Sequence, residues 1–152
     1  LRWLRISLEE IMLFKVKEVV ENLRRKILAI VIFGSYVYNP RGAEDIDAIV
    51  VINELKDIND KIKMEIEISK RLRKVFVKNV DVHVFDISSF KENLKVGTFL
   101  TGFVLGYKIV YDVAGLEEEI RKFIREIGKE EDYVYVKRRR WNLTTIARTK
   151  NK

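Results

Sequence analysis

The chain has 152 residues, of which 30 are basic and 23 acidic, with one His, one Pro and no Cys. A chain of this length forms one ordinary domain whose core needs neither disulfides nor a structural zinc, and the lack of Cys excludes a thiolate metal site and a Cys nucleophile. The content of 47% hydrophobic and 11% aromatic residues excludes intrinsic disorder, while the longest apolar run, Ile27 to Phe33, is too short to cross a bilayer.

The first third of the chain predicts one helix followed by two strands. Ser7 and Glu10 have the spacing of a capping box, and apolar residues then recur at helical spacing, which predicts a helix from about Ser7 to Lys26. The segment Ile27 to Phe33 is short and rich in branched residues, as buried strands are. After a turn with Asn, Pro and Gly, the segment Asp45 to Ile52 predicts a second strand, charged at its start and apolar beyond.

The middle of the chain predicts a helix, a strand and a further helix. Apolar residues at helical spacing mark a helix from about Ile62 to Phe76, after a loop. The segment Val80 to Asp86 alternates strictly between apolar and polar residues and predicts a third strand. Ser89 and Glu92 have the spacing of a second capping box, which predicts a helix that continues to about Leu105.

The last elements predict a short strand and a helix. Tyr107 to Asp112 predicts a fourth strand at an edge of the sheet. An apolar stripe from Leu116 to Ile127 predicts the final helix, with Gly128 as its stop. The fold class is therefore α/β (α+β): a small mixed sheet of about four strands with flanking helices.

The net charge of +7 belongs to the C-terminal tail. Residues 137–152 contain seven basic side chains and no acidic one, so the rest of the chain is neutral. We expect a folded domain over residues 1–131, a basic extension over 132–152, a cytoplasmic location and no membrane partner. The tail either binds RNA, docks on an acidic protein or has no specific role; its candidate RNA-binding residues are Lys137, Arg138, Arg139, Arg140 and Trp141.

Three aspartates are candidates for one acidic site. Asp45 and Asp47 open the second predicted strand, and they project from the same face because side chains alternate along a strand. Asp81 joins them if the third strand lies next to the second. Three carboxylates packed together repel one another unless a cation holds them, and Mg²⁺ is a hard ion that prefers carboxylate and phosphate oxygens.

Gly34 and Ser35 supply a candidate phosphate site. They follow the first predicted strand, and nine residues separate Ser35 from Asp45. A Gly at a strand end lets the backbone approach a ligand closely, and Ser35 can begin a short helix whose free N–H groups face a phosphate. Together with the aspartates, these residues suit a triphosphate held at a helix start and bridged by metal to the carboxylates.

The segment IVIFGSYVYNPRGAEDIDAIVVI, with VDVHVF on a later strand, resembles the DNA polymerase beta-like nucleotidyltransferase superfamily, and within it the minimal nucleotidyltransferases. The resemblance covers roughly Ile27 to Asp112. It implies that Gly34 and Ser35 bind nucleotide phosphates and that Asp45 and Asp47 bind two Mg²⁺ ions. It also implies that Asp81 helps to bind one metal and activates an acceptor hydroxyl.

The resemblance further implies an activity and a partner. Members transfer a nucleoside monophosphate from an NTP, here with ATP expected, to a hydroxyl of a protein or RNA, and release pyrophosphate. Small members are often the antitoxin of a helical HEPN-family toxin, which they adenylylate or mask. The alternative is a catalytically weak module that binds nucleotide or masks a partner.

Two further residues have open roles. His83 lies two residues after Asp81, and it either touches the nucleotide, acts as a base or is a partly buried His bonded to a neighbour. Glu44 precedes Asp45 where small members often carry Ser, and it is either a fourth ligand or a loop charge.

Overall fold

The computed structural model of the chain describes residues 7–95, 103 and 106–129. Its elements are α1 (Leu8–Glu21), β1 (Ile27–Phe33), α2 (Ser35–Tyr38), β2 (Asp45–Ile52), α3 (Ile58–Phe76), β3 (Asn79–Asp86), α4 (Ile87–Glu92), β4 (Tyr107–Asp112) and α5 (Leu116–Lys129). The bounds predicted for the first, second and fourth strands are confirmed, and the third begins one position earlier than predicted.

The four strands form one mixed sheet in the order β3-β2-β1-β4. Strand β1 is antiparallel to both β2 and β4, whereas β3 runs parallel to β2. A parallel pair needs a crossover connection, and α3 supplies it. The predicted small mixed sheet with flanking helices is therefore confirmed, as is the edge position of β4.

Apolar layers cover both faces of the sheet, which explains why β1 is buried at every position. On one face, Ile30 and Ile32 pack with apolar side chains of α1 and α3. On the other face, Ala29 and Val31 pack with Phe90 of α4 and with apolar side chains of α5. Burial on both faces gives a continuous apolar run rather than an alternating one.

Helix α1 begins as predicted and ends earlier. The Ser7 hydroxyl accepts from the Glu10 backbone N–H at 3.0 Å, and the Glu10 side chain accepts in return from the Ser7 N–H, which completes the capping box. The helix ends at Glu21 rather than near Lys26. Asn22 is its C-cap, and in the segment that follows, Nη1 of Arg25 donates to both carboxylate oxygens of Asp60, at the start of α3, at 2.8 Å.

Helix α3 begins earlier than the prediction, at Ile58, in a segment predicted to be a loop. The Asp57 carboxylate accepts from the Asp60 N–H at 2.8 Å and caps the helix. The second predicted capping box is wrong: Asp86, not Ser89, caps α4, because its carboxylate accepts from the Ser89 N–H at 2.7 Å. An Asp is as good an N-cap as a Ser.

Two predicted helix ends are also wrong. Helix α4 stops at Glu92, with Asn93 as its C-cap, instead of running to about Leu105; residues 96–102, 104 and 105 lie outside the described part. Helix α5 passes through Gly128 to Lys129, the last described residue, since one Gly inside a helix costs only about 1 kcal/mol. The predicted 132–152 extension, with Lys137 to Trp141, lies outside the described residues.

Each helix in the described part of the chain is too short or too polar to cross a lipid bilayer.

Candidate functional site

The candidate site lies at one end of the sheet, where three strands bring their polar ends together. Strand β1 leads into Gly34, while β2 begins at Asp45 and β3 begins nearby. In the ladder, Phe33 is the partner of Asp47 on one side, and Asp81 is the partner of Asp47 on the other. The parallel pairing of β2 and β3 thus fulfils the condition for placing Asp81 beside the first two aspartates.

The three aspartates occupy the same face of the sheet. Their apolar neighbours Ile46 and Ala48 are fully buried in the layer under α1 and α3. Because side chains alternate, Asp45 and Asp47 point the opposite way, where Asp45 is exposed and Asp47 is half-buried. Asp81 is exposed on that same face of β3. Strand alternation therefore separates the charged residues from the core.

Gly34 makes the closest approach to this acidic group. Its backbone has φ 82° and ψ −154°, a conformation that is essentially restricted to Gly. A Cβ atom at this position would lie 3.2 Å from Oδ2 of Asp47. Ser35 then begins the short helix α2, in which the Asn39 N–H donates to the Ser35 carbonyl at 2.8 Å. The predicted helix start at Ser35 is confirmed.

The loop between α2 and β2 is fixed by Lys78, which sequence reasoning missed. The Lys78 Nζ donates to the carbonyl oxygens of Pro40 at 3.0 Å and Ala43 at 2.6 Å. It also lies 5.8 Å from the ring centroid of Tyr36. Lys78 thereby holds the segment that connects Ser35 to Asp45. A Lys just after a helix looks like a solvated charge in the sequence, so no local signal identifies it.

Burial raises the pKa of the Asp47 carboxyl above its ordinary value. Nearby His83 opposes this rise, while the negative charges of Asp81 and Asp45 add to it. Like charges disfavour the ionised form of a carboxyl group. The pKa of Asp47 is therefore influenced by three other ionisable side chains near this end of the sheet.

A polar cleft of about 350 Å³ opens beside these residues. Asp45, Asp47 and Asp81 all line it, as does Ser35. Gly34 contributes through its contact with Asp47 rather than as a lining residue. The other lining residues belong to the loop: Asn39, Gly42, Ala43 and Glu44. The predicted residues are thus gathered around one opening.

His83 lies outside this cleft. It is partly buried on β3, two positions beyond Asp81 on the same face, and it lines a second, larger cleft of about 830 Å³. Asp47 and Asp81 line both clefts, so the two clefts adjoin at these residues. His83 thus influences Asp47 electrostatically from the second cleft.

The chemistry of the donor set suits a hard divalent cation, because carboxylate oxygens are the ligands that Mg²⁺ prefers. In their present orientations, however, no three His, Asp or Glu side chains of the described residues form a group able to hold a metal ion. Asp45 and Asp81 are exposed, so their side chains are free to rotate toward Asp47. A metal site here requires that rotation.

Comparison with known proteins gives one family match. Residues 15–105 match the family described as polymerase beta, nucleotidyltransferase, and this range covers more than half of the chain. It includes Gly34, Ser35 and all three aspartates. No curated protein matches the chain.

Several solved toxin–antitoxin structures are similar to the chain at low sequence identity. A mutant of the MntA–HpeT pair is 17% identical with a TM-score of 0.49, covering 82% of this chain and 89% of that chain. A toxin–antitoxin structure with AMP-PNP is 16% identical with a TM-score of 0.47, covering 83% and 91%. A Shewanella oneidensis complex of a tri-AMPylated HEPN toxin with an MNT antitoxin is 16% identical with a TM-score of 0.45, covering 86% and 92%.

The assignment rests on the family match, which spans the elements from α1 to the segment after α4. These elements include the three strands that carry the candidate site. The four-stranded mixed sheet agrees with the fold expected of this family. The chain therefore belongs to the polymerase beta nucleotidyltransferase family.

Proposed function

We propose that the chain is a Mg²⁺-dependent nucleotidyltransferase that moves AMP from ATP to a hydroxyl group of another macromolecule. The observation that carries the proposal is the pairing of Asp47 with Asp81 on adjacent strands, within contact distance of the Gly34 backbone. The family match supports the reaction class. Asp45, Asp47 and Asp81 are the proposed metal ligands, and Gly34 and Ser35 the proposed phosphate-binding residues.

The polar cleft is the proposed place for the triphosphate. Its lining is dominated by polar side chains around Ser35 and Asp45, and it lacks the apolar walls that a hydrophobic ligand would need. Gly34 has no side chain that would fill the space next to Asp47. Lys78 fixes the loop wall through Pro40 and Ala43, so that the cleft is preorganised for its ligand.

Asp45, Asp47 and Asp81 would hold up to two Mg²⁺ ions. Bound Mg²⁺ supplies charge stabilisation to a triphosphate and to the leaving pyrophosphate. Burial is the main cause of the raised pKa of Asp47, and the negative charges of Asp81 and Asp45 add to it. Binding a cation therefore relieves the repulsion among these three side chains.

Asp81 is the proposed base for the acceptor. Its exposed carboxylate lines both clefts, so it is accessible from the second cleft as well as from the polar cleft. It would accept the proton of the acceptor hydroxyl as that oxygen bonds to the α-phosphorus. The bond between the α-phosphorus and the bridging oxygen breaks, and pyrophosphate leaves. His83 lines the second cleft, and its proposed role is to orient the acceptor there.

For the acceptor we propose a helical HEPN-family protein, with this chain as its antitoxin. The proposal rests on the resemblance of the segment from Ile30 to Ile52 to minimal nucleotidyltransferases. An RNA acceptor is the competing proposal, and the basic residues Lys137 to Trp141 would then hold it. The treatment of labelled product with protease or ribonuclease separates the two.

The test is transfer of label from α-labelled ATP, with Mg²⁺, into an extract of the source cells. Wild type is compared with Asp45→Asn/Asp47→Asn, and with Glu92→Gln/Glu126→Gln, which removes the same number of charges at exposed positions outside the cleft. We expect label with wild type and the control pair only, and loss of that label to protease. Equal labelling by Asp45→Asn/Asp47→Asn would overturn the proposed site.

A further inference from the structure

The second cleft, of about 830 Å³, is a groove between α3 and the open edge of β3. We propose that this groove binds an extended, acidic segment of a protein acceptor and presents its hydroxyl to Asp81. The inference rests on the proposed function and names the substrate class of that same site. It follows from the backbone of β3, from the side chains of α3, and from the residues that the groove shares with the polar cleft.

The edge of β3 offers backbone groups to an extended chain. Two α3 side chains bond to this edge: the Ser69 hydroxyl donates to the Val80 carbonyl at 2.6 Å, and Glu65 accepts from the Val84 N–H at 3.0 Å. Val82 lies midway between these positions. Since the backbone groups of alternate strand residues point to the same side, its N–H and C=O also face the groove. The Val80 carbonyl and the Val84 N–H already have partners on α3, so an extended peptide would pair with the backbone of Val82 between them.

The α3 side of the groove carries a net positive charge, whereas Asp47 and Asp81 place two negative charges where the groove meets the polar cleft. Glu65 is already neutralised, because it forms an ion pair with Lys61 at 2.7 Å. Lys70 and Arg73 also line the groove, and within the described part of the chain neither forms an ion pair. Two cations without counter-charges favour Asp or Glu side chains in the occupant.

The remaining lining favours a polypeptide over RNA. Ile66 lines the groove and is 53% exposed, which suits an apolar side chain of the occupant. Single-stranded RNA binds best where aromatic rings stack on its bases. The described residues that line the groove include no Phe, Tyr or Trp. An acidic peptide therefore matches the surface better than a nucleic acid does.

The shared residues connect the groove to the chemistry. Asp47 and Asp81 line both the groove and the polar cleft, so an acceptor in the groove would lie next to a triphosphate in the polar cleft. Its hydroxyl oxygen bonds to the α-phosphorus, the hydroxyl proton passes to Asp81, and pyrophosphate leaves into the polar cleft.

The test measures binding and transfer separately, with a Glu–Tyr random copolymer as the probe. This polymer carries acidic side chains and Tyr hydroxyls; a Lys–Tyr copolymer and poly(U) are the comparisons. Lys70→Glu/Arg73→Glu is compared with Lys122→Glu/Arg125→Glu, which makes the same change at the same spacing on exposed positions of α5. Lys70→Gln/Arg73→Gln replaces the first pair if charge reversal unfolds the protein.

We expect wild type and the α5 variant to bind the fluorescent Glu–Tyr copolymer with equal affinity, and the groove variant to bind it at least about tenfold more weakly. Thermal stabilisation by Mg²⁺ and nucleotide should be the same in all three. Equal copolymer affinity for wild type and the groove variant would overturn the proposal, as would a loss of poly(U) affinity in the groove variant as large as its loss of copolymer affinity; the basic residues 137–152 are the same in all the proteins compared. If Mg²⁺ and nucleotide did not stabilise wild type, the proposed function would be overturned instead. The two outcomes are distinguishable because copolymer binding does not require nucleotide.

Discussion

The backbone of Gly34 lies against the carboxylate of Asp47, so that a Cβ atom on Gly34 would be 3.2 Å from Oδ2. This contact joins the residue that follows β1 to Asp47, the third residue of β2. The preceding residue, Phe33, is the ladder partner of Asp47. The proposed phosphate-binding residue and the proposed metal ligand are therefore one packed unit. A change at Gly34 acts directly on the position of Asp47.

Substitution of Gly34 by Ala tests this contact. We expect Gly34→Ala to lose about 1–3 kcal/mol of unfolding free energy, because its backbone conformation is disfavoured for residues with a Cβ, and to lose more than about tenfold in transfer rate. Urea denaturation and labelled transfer measure the two effects. Gly115→Ala is the control, since Gly115 also has positive φ, at 71°, but its Cβ would meet nothing within 4 Å. Equal transfer by the two variants would contradict the role of the contact.

Replacement of Asp47 by Asn is expected to change stability in a pH-dependent way. The folded protein raises the pKa of Asp47 above 3.8, so folding binds a proton and wild type loses stability as the pH rises through the raised pKa. Asp47→Asn lacks this loss. We expect its melting temperature to exceed that of wild type at pH 7 by no more than about 3 °C, since solvent screens the half-exposed group.

The same gain should shrink as the pH falls and disappear below pH 3.8, where the carboxyl is protonated in both states. Melting curves of both proteins between pH 3.8 and pH 7, without divalent cations, provide the measurement. A gain that is constant over this range would show that the charge of Asp47 is not its cause.

Lys78→Met is expected to loosen the loop between α2 and β2. The substitution removes two hydrogen bonds from a charged donor, to Pro40 and Ala43, and each such bond contributes about 1.5–3 kcal/mol. We expect faster amide hydrogen exchange in residues 39–44 and weaker nucleotide binding. Lys74→Met is the control, because Lys74 is exposed on α3 and does not line the cleft. Unchanged exchange in the loop would argue against the positioning role of Lys78.

Asp81→Asn is expected to reduce stabilisation by Mg²⁺ and nucleotide. Ligand at a hundredfold excess over its Kd stabilises a folded protein by about 2.7 kcal/mol, and loss of a metal ligand should remove most of this effect. The measurement is the shift in melting temperature with Mg²⁺ and α,β-methylene ATP, which does not undergo transfer. Glu92→Gln should respond like wild type. An undiminished shift for Asp81→Asn would remove Asp81 from the metal site and leave only its proposed role as base.

Local patterns in the sequence predict much of this fold because they have local causes. Strand β1 is a continuous run of mostly branched apolar residues. The capping box of α1 is formed by Ser7 and Glu10, which lie within four residues. Where the prediction is wrong, a nearby residue takes the predicted role: Asp86, three residues before Ser89, caps α4. At Gly128, packing of the amphipathic α5 outweighs the weak preference of Gly for a helix end.

The candidate site depends on pairings that are distant in sequence. Alternation predicts that Asp45 and Asp47 share a face, but the position of Asp81 follows only once β2 and β3 are adjacent and parallel. The contacts of Lys78 with the loop join residues 38 and 35 positions apart, so no short-range pattern identifies them. The metal, phosphate and proton-transfer roles of the site residues stay predictions.

The register between β2 and β3 links the stability of the protein to its chemistry. A slip of β3 by one residue would turn Asp81 into the apolar layer under α3, where Val80 and Val82 now lie, and would place a valine beside Asp47. The buried charge would strongly destabilise the misaligned sheet. A chain that pairs these strands incorrectly therefore fails to fold before it can form a defective site. Packing of the hydrophobic core thus ensures that a folded chain has Asp81 beside Asp47.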